Sequence, residues 1–380
     1  MTSLTDIEKA FLVLVKAGLW EMEVQLSDYG QVGLERIYQI ALEQSVVGLI
    51  AAGLERVVDK RTPQELALTF AGEVLQLEQR NHAMNSFIAK LIQFLHRSDV
   101  YALLVKGQGI AQCYERPLWR VCGDVDLFQS EENYKKASKI LAKVASSVDE
   151  ENKYNRHIAM TIDGWPVELH GTLRSGLWRR LDKVIDEVQE TVFKGGSVRS
   201  WQNDRTQVFL PGVNEDVFFV FSHILQHFYK EGIGLRQICD WCRLMWTYRE
   251  SLNHGLLESR IRKAGVMSEW KVFCTLAVDY LGMPVEAMPL FNQNDNHSAN
   301  LKSKAERVMA FVLETGNFGH NRDYSFRQKH SYLVFKAISL WKHIQDFRRY
   351  FVIFPLDAIK VTWHRLILGF TVVLKGRRHE

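Results

Sequence analysis

Near Val100 the hydrophobic period of this chain changes, and no other feature limits its possible folds as much. From Leu4 to Asp99 apolar residues recur every three or four positions, as in Ile7, Ala10, Phe11 and Leu14 and again in Leu34, Ile37, Tyr38 and Ala41, which predicts helices. Beyond that point Tyr101-Ala-Leu-Leu-Val105 is a short apolar run, and Val121 to Phe128 alternates. Arg156 to Ile162 and Trp165 to His170 flank an Asp163-Gly164 pair, the signature of a two-residue β-hairpin. Thr206 to Leu210 reads as one more strand, and Ser130 to Ser147 as an amphipathic helix carrying Tyr134, Ala137, Ile140, Leu141 and Val144. After Asn214 helical spacing returns. The predicted class is α+β: a small mixed sheet of four or five strands in a core at 100–212, between helical regions at 1–99 and 213–380.

Local signals refine this outline. Thr62-Pro-Gln-Glu reads as an N-cap, first-turn proline and capping-box acid opening a helical stretch that runs to Arg97 as one long helix or two nearly coaxial ones. The polar stretch Asn292 to Asn300 reads as a mobile loop or linker.

Composition excludes several classes. With 47% hydrophobic and 24% charged residues the chain is not intrinsically disordered. Its 48 Lys and Arg against 44 Asp and Glu leave a formal +4, too little for a dedicated nucleic-acid binder. Five cysteines (Cys113, Cys122, Cys239, Cys242, Cys274) make no disulfide framework at this length, so a reducing, cytoplasmic location is expected. The acidic N-terminus does not read as a signal peptide. The apolar run Leu366 to Leu374, bounded by Arg365 and Lys375, falls short of the roughly 20 residues a membrane span needs, so no transmembrane helix is expected.

Asp124-Val-Asp126 carries the strongest chemical signal. The two-residue period of a strand places both carboxylates on one face and turns Val125 and Leu127 to the core. The pair follows Gly123 and comes shortly after a strand ending in Lys106-Gly107-Gln108-Gly109. A third acid, Glu168, sits in mid-strand within Pro166-Val-Glu-Leu-His170. Three convergent strand carboxylates suit two divalent metal ions roughly 4 Å apart. The same acids would also suit a solvated strand end, so their convergence is the deciding expectation.

These residues resemble a known family. A strand running into Gly107-Gln108, a helix, Gly123-Asp124-Val-Asp126 on the next strand and a later acid resemble the nucleotidyltransferase superfamily of DNA polymerase beta. More narrowly, Leu103-Leu-Val-Lys-Gly107, Arg120-x-x-Gly-Asp-Val-Asp-Leu127 and Val167-Glu-Leu-His170 are similar to a family of bacterial proteins called uncharacterised nucleotidyltransferases. The sequence departs from the superfamily at Gln108, where a second Gly or a Ser is usual, and at Glu168, where Asp is usual. The resemblance implies a transferase of the EC 2.7.7 type that moves a nucleoside monophosphate from a nucleoside triphosphate to an acceptor hydroxyl or phosphate. Asp124, Asp126 and Glu168 would be catalytic and would hold two Mg²⁺ ions, with Mn²⁺ as a substitute. Lys106, Gly107, Gln108, Gly109, Arg120 and Gly123 would bind the nucleotide, through glycine backbone N–H groups and the Lys106 and Arg120 cations. A protein that keeps the fold as a binding scaffold without turnover is the second reading. The acceptor (small molecule, sugar, protein or RNA end), the base preference and the oligomeric state are not legible.

Other patterns read as structural. His223-x-x-x-His227 lacks the glutamate of a zinc-protease motif and reads as a packed or hydrogen-bonded pair. Cys239-x-x-Cys242 lies in a helical pattern without further ligands and reads as core or boundary thiols. His157 and His170 flank Glu168 as metal-supporting or packing residues, and Arg236 and Asp240, four apart on a helix, as an ion pair. Trp341, Phe347, Tyr350, Phe351 and Phe354 mix with Lys342, Arg348, Arg349, Lys375, Arg377 and Arg378, which suits helices packed on a core better than a membrane or polyanion surface.

Overall fold

The computed structural model describes residues 4–30, 33–319, 321 and 345–363. Four helices open the chain: α1 (Asp6–Trp20), α2 (Leu34–Glu43), α3 (Val47–Leu54) and α4 (Gln64–His96). A 33-residue helix is long for a globular protein. It begins one residue later than the sequence signal predicts, because Pro63 has a non-helical ψ of 140° and acts as the N-cap itself, without a side-chain bond. The expected capping role of Thr62 is therefore not realised. α1 and α3 meet at backbone distance: a Cβ on Gly53 would lie 2.1 Å from the carbonyl oxygen of Leu14. Gly53→Ala should force the helices apart and cost about 1–3 kcal/mol in urea unfolding; unchanged stability would refute the close contact.

The mixed layer follows, with β1 (Leu103–Val105), α5 (Gly107–Ala111), β2 (Val125–Phe128), α6 (Glu131–Leu141), β3 (Ser147–Val148), β4 (His157–Ile162) and β5 (Trp165–His170). Five strands form one sheet in the order β1-β2-β5-β4-β3, with β2 and β5 parallel and the other pairs antiparallel. β4 and β5 are the expected hairpin, its turn made by Asp163 and Gly164 at φ 50° and 79°, the positive pair a two-residue turn requires. Next come α7 (Arg179–Phe193) and a separate hairpin of β6 (Val198–Asn203) with β7 (Thr206–Pro211). β7 was expected, whereas its partner β6 was not, since Arg, Ser, Gln and Asn interrupt its apolar pattern.

Helices then return: α8 (Val213–Lys230), α9 (Leu235–Thr247), α10 (His254–Ala264), α11 (Met267–Leu281), α12 (Gln293–Asn296) and α13 (Ala299–Thr315), with further helical backbone at 345–353 and 355–363. The polar stretch at 292–300 is not the expected loop. Asn292 caps the Asp295 N–H and Asp295 returns a bond, so a capping box closes the short α12, and α13 starts at Ala299. All five cysteines are buried and unpaired by disulfide, as core thiols should be. Tyr350 and Phe354 pack into the core while Phe351 is exposed. Trp341, Lys342, Lys375, Arg377, Arg378 and the run Leu366 to Leu374 lie outside the described residues. Among those described, no helix is long and apolar enough to cross a membrane.

The pleat sorts the sheet into two chemistries. Leu104, Val125, Leu127, Met160, Ile162, Val167 and Leu169 join the C-terminal half of α4 and Tyr134, Ala137 and Leu141 of α6 in one core. On the opposite face Phe128 packs against Phe193 and Phe219, while Asp126, Glu168, His170 and His157 face a cleft.

Candidate functional site

The cleft has a volume of about 450 Å³, with the sheet as its floor and α8 and α9 as its facing wall. From the floor come Lys106, Asp124, Asp126, His157, Glu168 and His170, and from the wall His223, His227, Arg236 and Asp240. Parallel pairing sets Asp126 directly beside Glu168 despite their distance in sequence. Asp124 lies just before β2 rather than within it, so the strand starts later than the alternation from Val121 suggests. The three acids nevertheless converge: one carboxylate oxygen from each of Asp124, Asp126 and Glu168 lies within 4.8 Å of the other two.

Basic side chains hold this cluster. Lys106 Nζ donates to Asp126 Oδ1 at 3.1 Å, and His170 Nε2 lies 2.7 Å from the same oxygen and 3.5 Å from Glu168 Oε2. His157 Nε2 is 3.0 Å from Glu168 Oε2. Lys106 reaches its position through φ 56°, ψ −143°, a conformation L-residues rarely adopt, and so turns β1 directly into α5. Each titration follows from this crowding. Asp126 beside it, and then burial, push the Asp124 carboxyl up. Burial alone would raise Asp126, but Lys106 and the His170 hydrogen bond outweigh it and hold the group below its usual value. His157 Nε2 and His170 Nε2, at 3.0 and 3.5 Å from Oε2, keep Glu168 far below the ordinary carboxylate range. Burial opposes charge on His170 and on Lys106, yet the neighbouring carboxylates prevail and raise both. Desolvation, and then the Lys106 charge, push His223 well down; its Nε2 lies 3.0 Å from that of His227, the expected hydrogen-bonded pair.

Lys106, Gly107 and Arg120 line the cleft with the acids, whereas Gln108, Gly109 and Gly123 do not. Gln108 is 1% exposed, and its Nε2 donates to Asn81 Oδ1 at 2.7 Å. Asn81, fully buried on α4, in turn donates to the carbonyls of Leu118 and Arg120, so Gln108 braces the turn from inside. A Cβ on Gly109 would strike Leu210 Cδ2 at 2.8 Å, so this glycine serves packing. Arg120 is also differently employed from the expectation. Its Nε and Nη2 fork onto Asp240 at 2.9 and 2.6 Å and its Nη1 donates to Val121 O, which commits the guanidinium to the protein. Asp240 thus takes Arg120, and Arg236 Nη1 reaches Val121 O. Arg236 is the cleft cation that helix spacing alone could not place; burial, and then the Arg120 charge, push its pKa down. The pairing of His157 with His170 has a signal in the sequence, since counting back from the two-residue turn sets them opposite each other.

Fold and site together define a mixed α/β protein with a carboxylate floor beneath a cation-bearing cleft, an arrangement suited to phosphorylated substrates. The family model described as uncharacterised nucleotidyltransferase matches residues 31–282, and the chain belongs to that family. The match takes in both the sheet and the helical wall of the cleft, and membership supports transferase activity. No curated protein and no solved structure matches the chain.

Proposed function

We propose that the protein transfers a nucleoside monophosphate from a nucleoside triphosphate to an acceptor hydroxyl or phosphate, using Mg²⁺ held by Asp124, Asp126 and Glu168. The observation that carries this reading is the side-by-side register of Asp126 and Glu168, with Asp124 within ligand distance of both. The donor set fits the ion: all three ligands are hard carboxylate oxygens, and the raised Asp124 pKa marks an excess of negative charge that a cation relieves. Bound there, divalent ions supply neutralisation of the triphosphate and acidify the acceptor hydroxyl.

The chain's own residues do the rest. An acceptor oxygen attacks the α-phosphorus in line, the bond to the bridging oxygen breaks, and pyrophosphate leaves with the electron pair. Glu168, ionised and oriented by His157 and His170, receives the acceptor proton. Lys106 and Arg236 face the phosphates from opposite sides of the cleft, and Gly107 lets the backbone approach them. Gln108 and Arg120 serve by holding the turn and the loop before Asp124 in place.

Incubation with each α-labelled nucleoside triphosphate, Mg²⁺ and a cell extract tests the reaction, the labelled component revealing the acceptor; no label transfer with any nucleotide would refute it. Glu168→Gln should leave triphosphate affinity within a few fold but lower turnover by about 10²-fold or more, since the Asp pair still holds the nucleotide while the acceptor loses its base. Calorimetric titration beside the transfer assay separates the two effects.

A further inference from the structure

Along the floor of the cleft the donor chemistry changes from oxygen to nitrogen. His170 follows Glu168 by two residues on β5 and shares its face, and the hairpin register puts His157 of β4 opposite His170. The two ring centres are 4.9 Å apart. One donor atom from each of His157, Glu168 and His170 lies within 4.8 Å of the other two. Nε2 of His157 is buried and makes no well-aligned hydrogen bond, although Glu168 Oε2 is only 3.0 Å away. Nitrogen and oxygen are thus neighbours without serving as donor and acceptor to each other.

We propose that His157, Glu168 and His170 form a second ion site, for a borderline first-row divalent ion of the Zn²⁺ or Co²⁺ type, with Glu168 shared between it and the all-oxygen site. Two imidazoles and one carboxylate are a donor set that such ions favour, whereas Mg²⁺ prefers oxygen ligands and keeps its waters. The side chains of His157 and Glu168 are 29% and 32% exposed, which leaves an approach from the cleft. The sharing of Glu168 rests on the function proposed above, but capture of an ion by the imidazoles does not require transfer.

The test titrates metal-free protein with Co²⁺ in a millimolar excess of Mg²⁺, following visible absorption and bound metal by equilibrium dialysis. One Co²⁺ per chain should resist displacement by Mg²⁺. Affinity should fall by about tenfold or more in His157→Ala and in His170→Ala, and stay within about threefold in Asp124→Asn. Melting curves establish that the variants fold; His157 is part-exposed, so His157→Ala decides the matter should His170→Ala unfold. Unchanged Co²⁺ affinity in His157→Ala, a loss in Asp124→Asn equal to that in His157→Ala, or failure of the folded wild type to capture Co²⁺ would each overturn the site. Capture of Co²⁺ without label transfer to any acceptor would leave this site standing and remove the transferase reading. Transfer without capture would do the reverse.

Discussion

Asp126→Asn is expected to lower nucleotidyl transfer by about 10³-fold while leaving the protein folded, the scale of losing one preorganised charge at a reacting centre. Asp126 is 3% exposed, so it is not on the exposed strand face that alternation alone suggests. Asparagine has nearly the same volume and creates no cavity. Two electrostatic changes then oppose each other in stability. Asp126, held below its usual 3.8 by Lys106 and His170 against the effect of burial, stabilises the fold above that pH, and the contribution is lost as pH falls through the folded value. Asp124, raised above 3.8 chiefly by Asp126, binds its proton more tightly in the folded state, so its contribution is present at low pH and lost as pH rises through the folded value. The substitution removes the first contribution and relieves the second. Melting curves at neutral pH should therefore differ little from wild type, while Mg²⁺-dependent nucleotide binding weakens. Wild-type transfer by a folded Asp126→Asn protein would exclude the metal assignment.

Asp240→Ala should cost about 3–5 kcal/mol of stability, the range for stranding one member of a buried ion pair. The Arg120 and Asp240 side chains are 4% and 6% exposed, and the Tyr114 hydroxyl also donates to Asp240 Oδ1 at 2.7 Å. Truncation would leave a guanidinium and a phenol buried without their acceptor. The double variant Arg120→Met with Asp240→Leu should recover most of the loss, because no charge is then left unpaired. Urea unfolding measures both. A loss below about 1 kcal/mol in Asp240→Ala would show that the pair is not the brace between the Asp124 loop and α9. Arg120→Lys should also fail to restore full stability, because an ammonium cannot fork onto both carboxylate oxygens.

What lies in the sequence by itself is what adjacent residues decide. The change from helical to strand period near Val100 marks the mixed layer, and Asp163-Gly164 specifies a turn and with it the register of β4 on β5. The two-residue period puts Glu168 and His170 on one face whatever surrounds them. These features follow from backbone sterics within a few residues, so they are legible without a fold. β6 was not, because its interrupted alternation takes form only against β7. Thr62 and the polar run at 292–300 misled for a related reason: the side chains announce a cap or a loop, but backbone geometry at Pro63 and the bonds between Asn292 and Asp295 decide.

Only the tertiary structure decided the site's partners. Parallel pairing of β2 with β5 brings Asp126 beside Glu168, and no local rule sets which strands of a mixed sheet become neighbours. The same holds for Gln108, turned inward to Asn81, and for Arg120, committed to Asp240 across 120 residues of chain. A polar side chain carries its chemistry in the sequence, but whether it meets a phosphate, a metal ion or another side chain depends on which surfaces desolvate together, and packing between distant segments settles that.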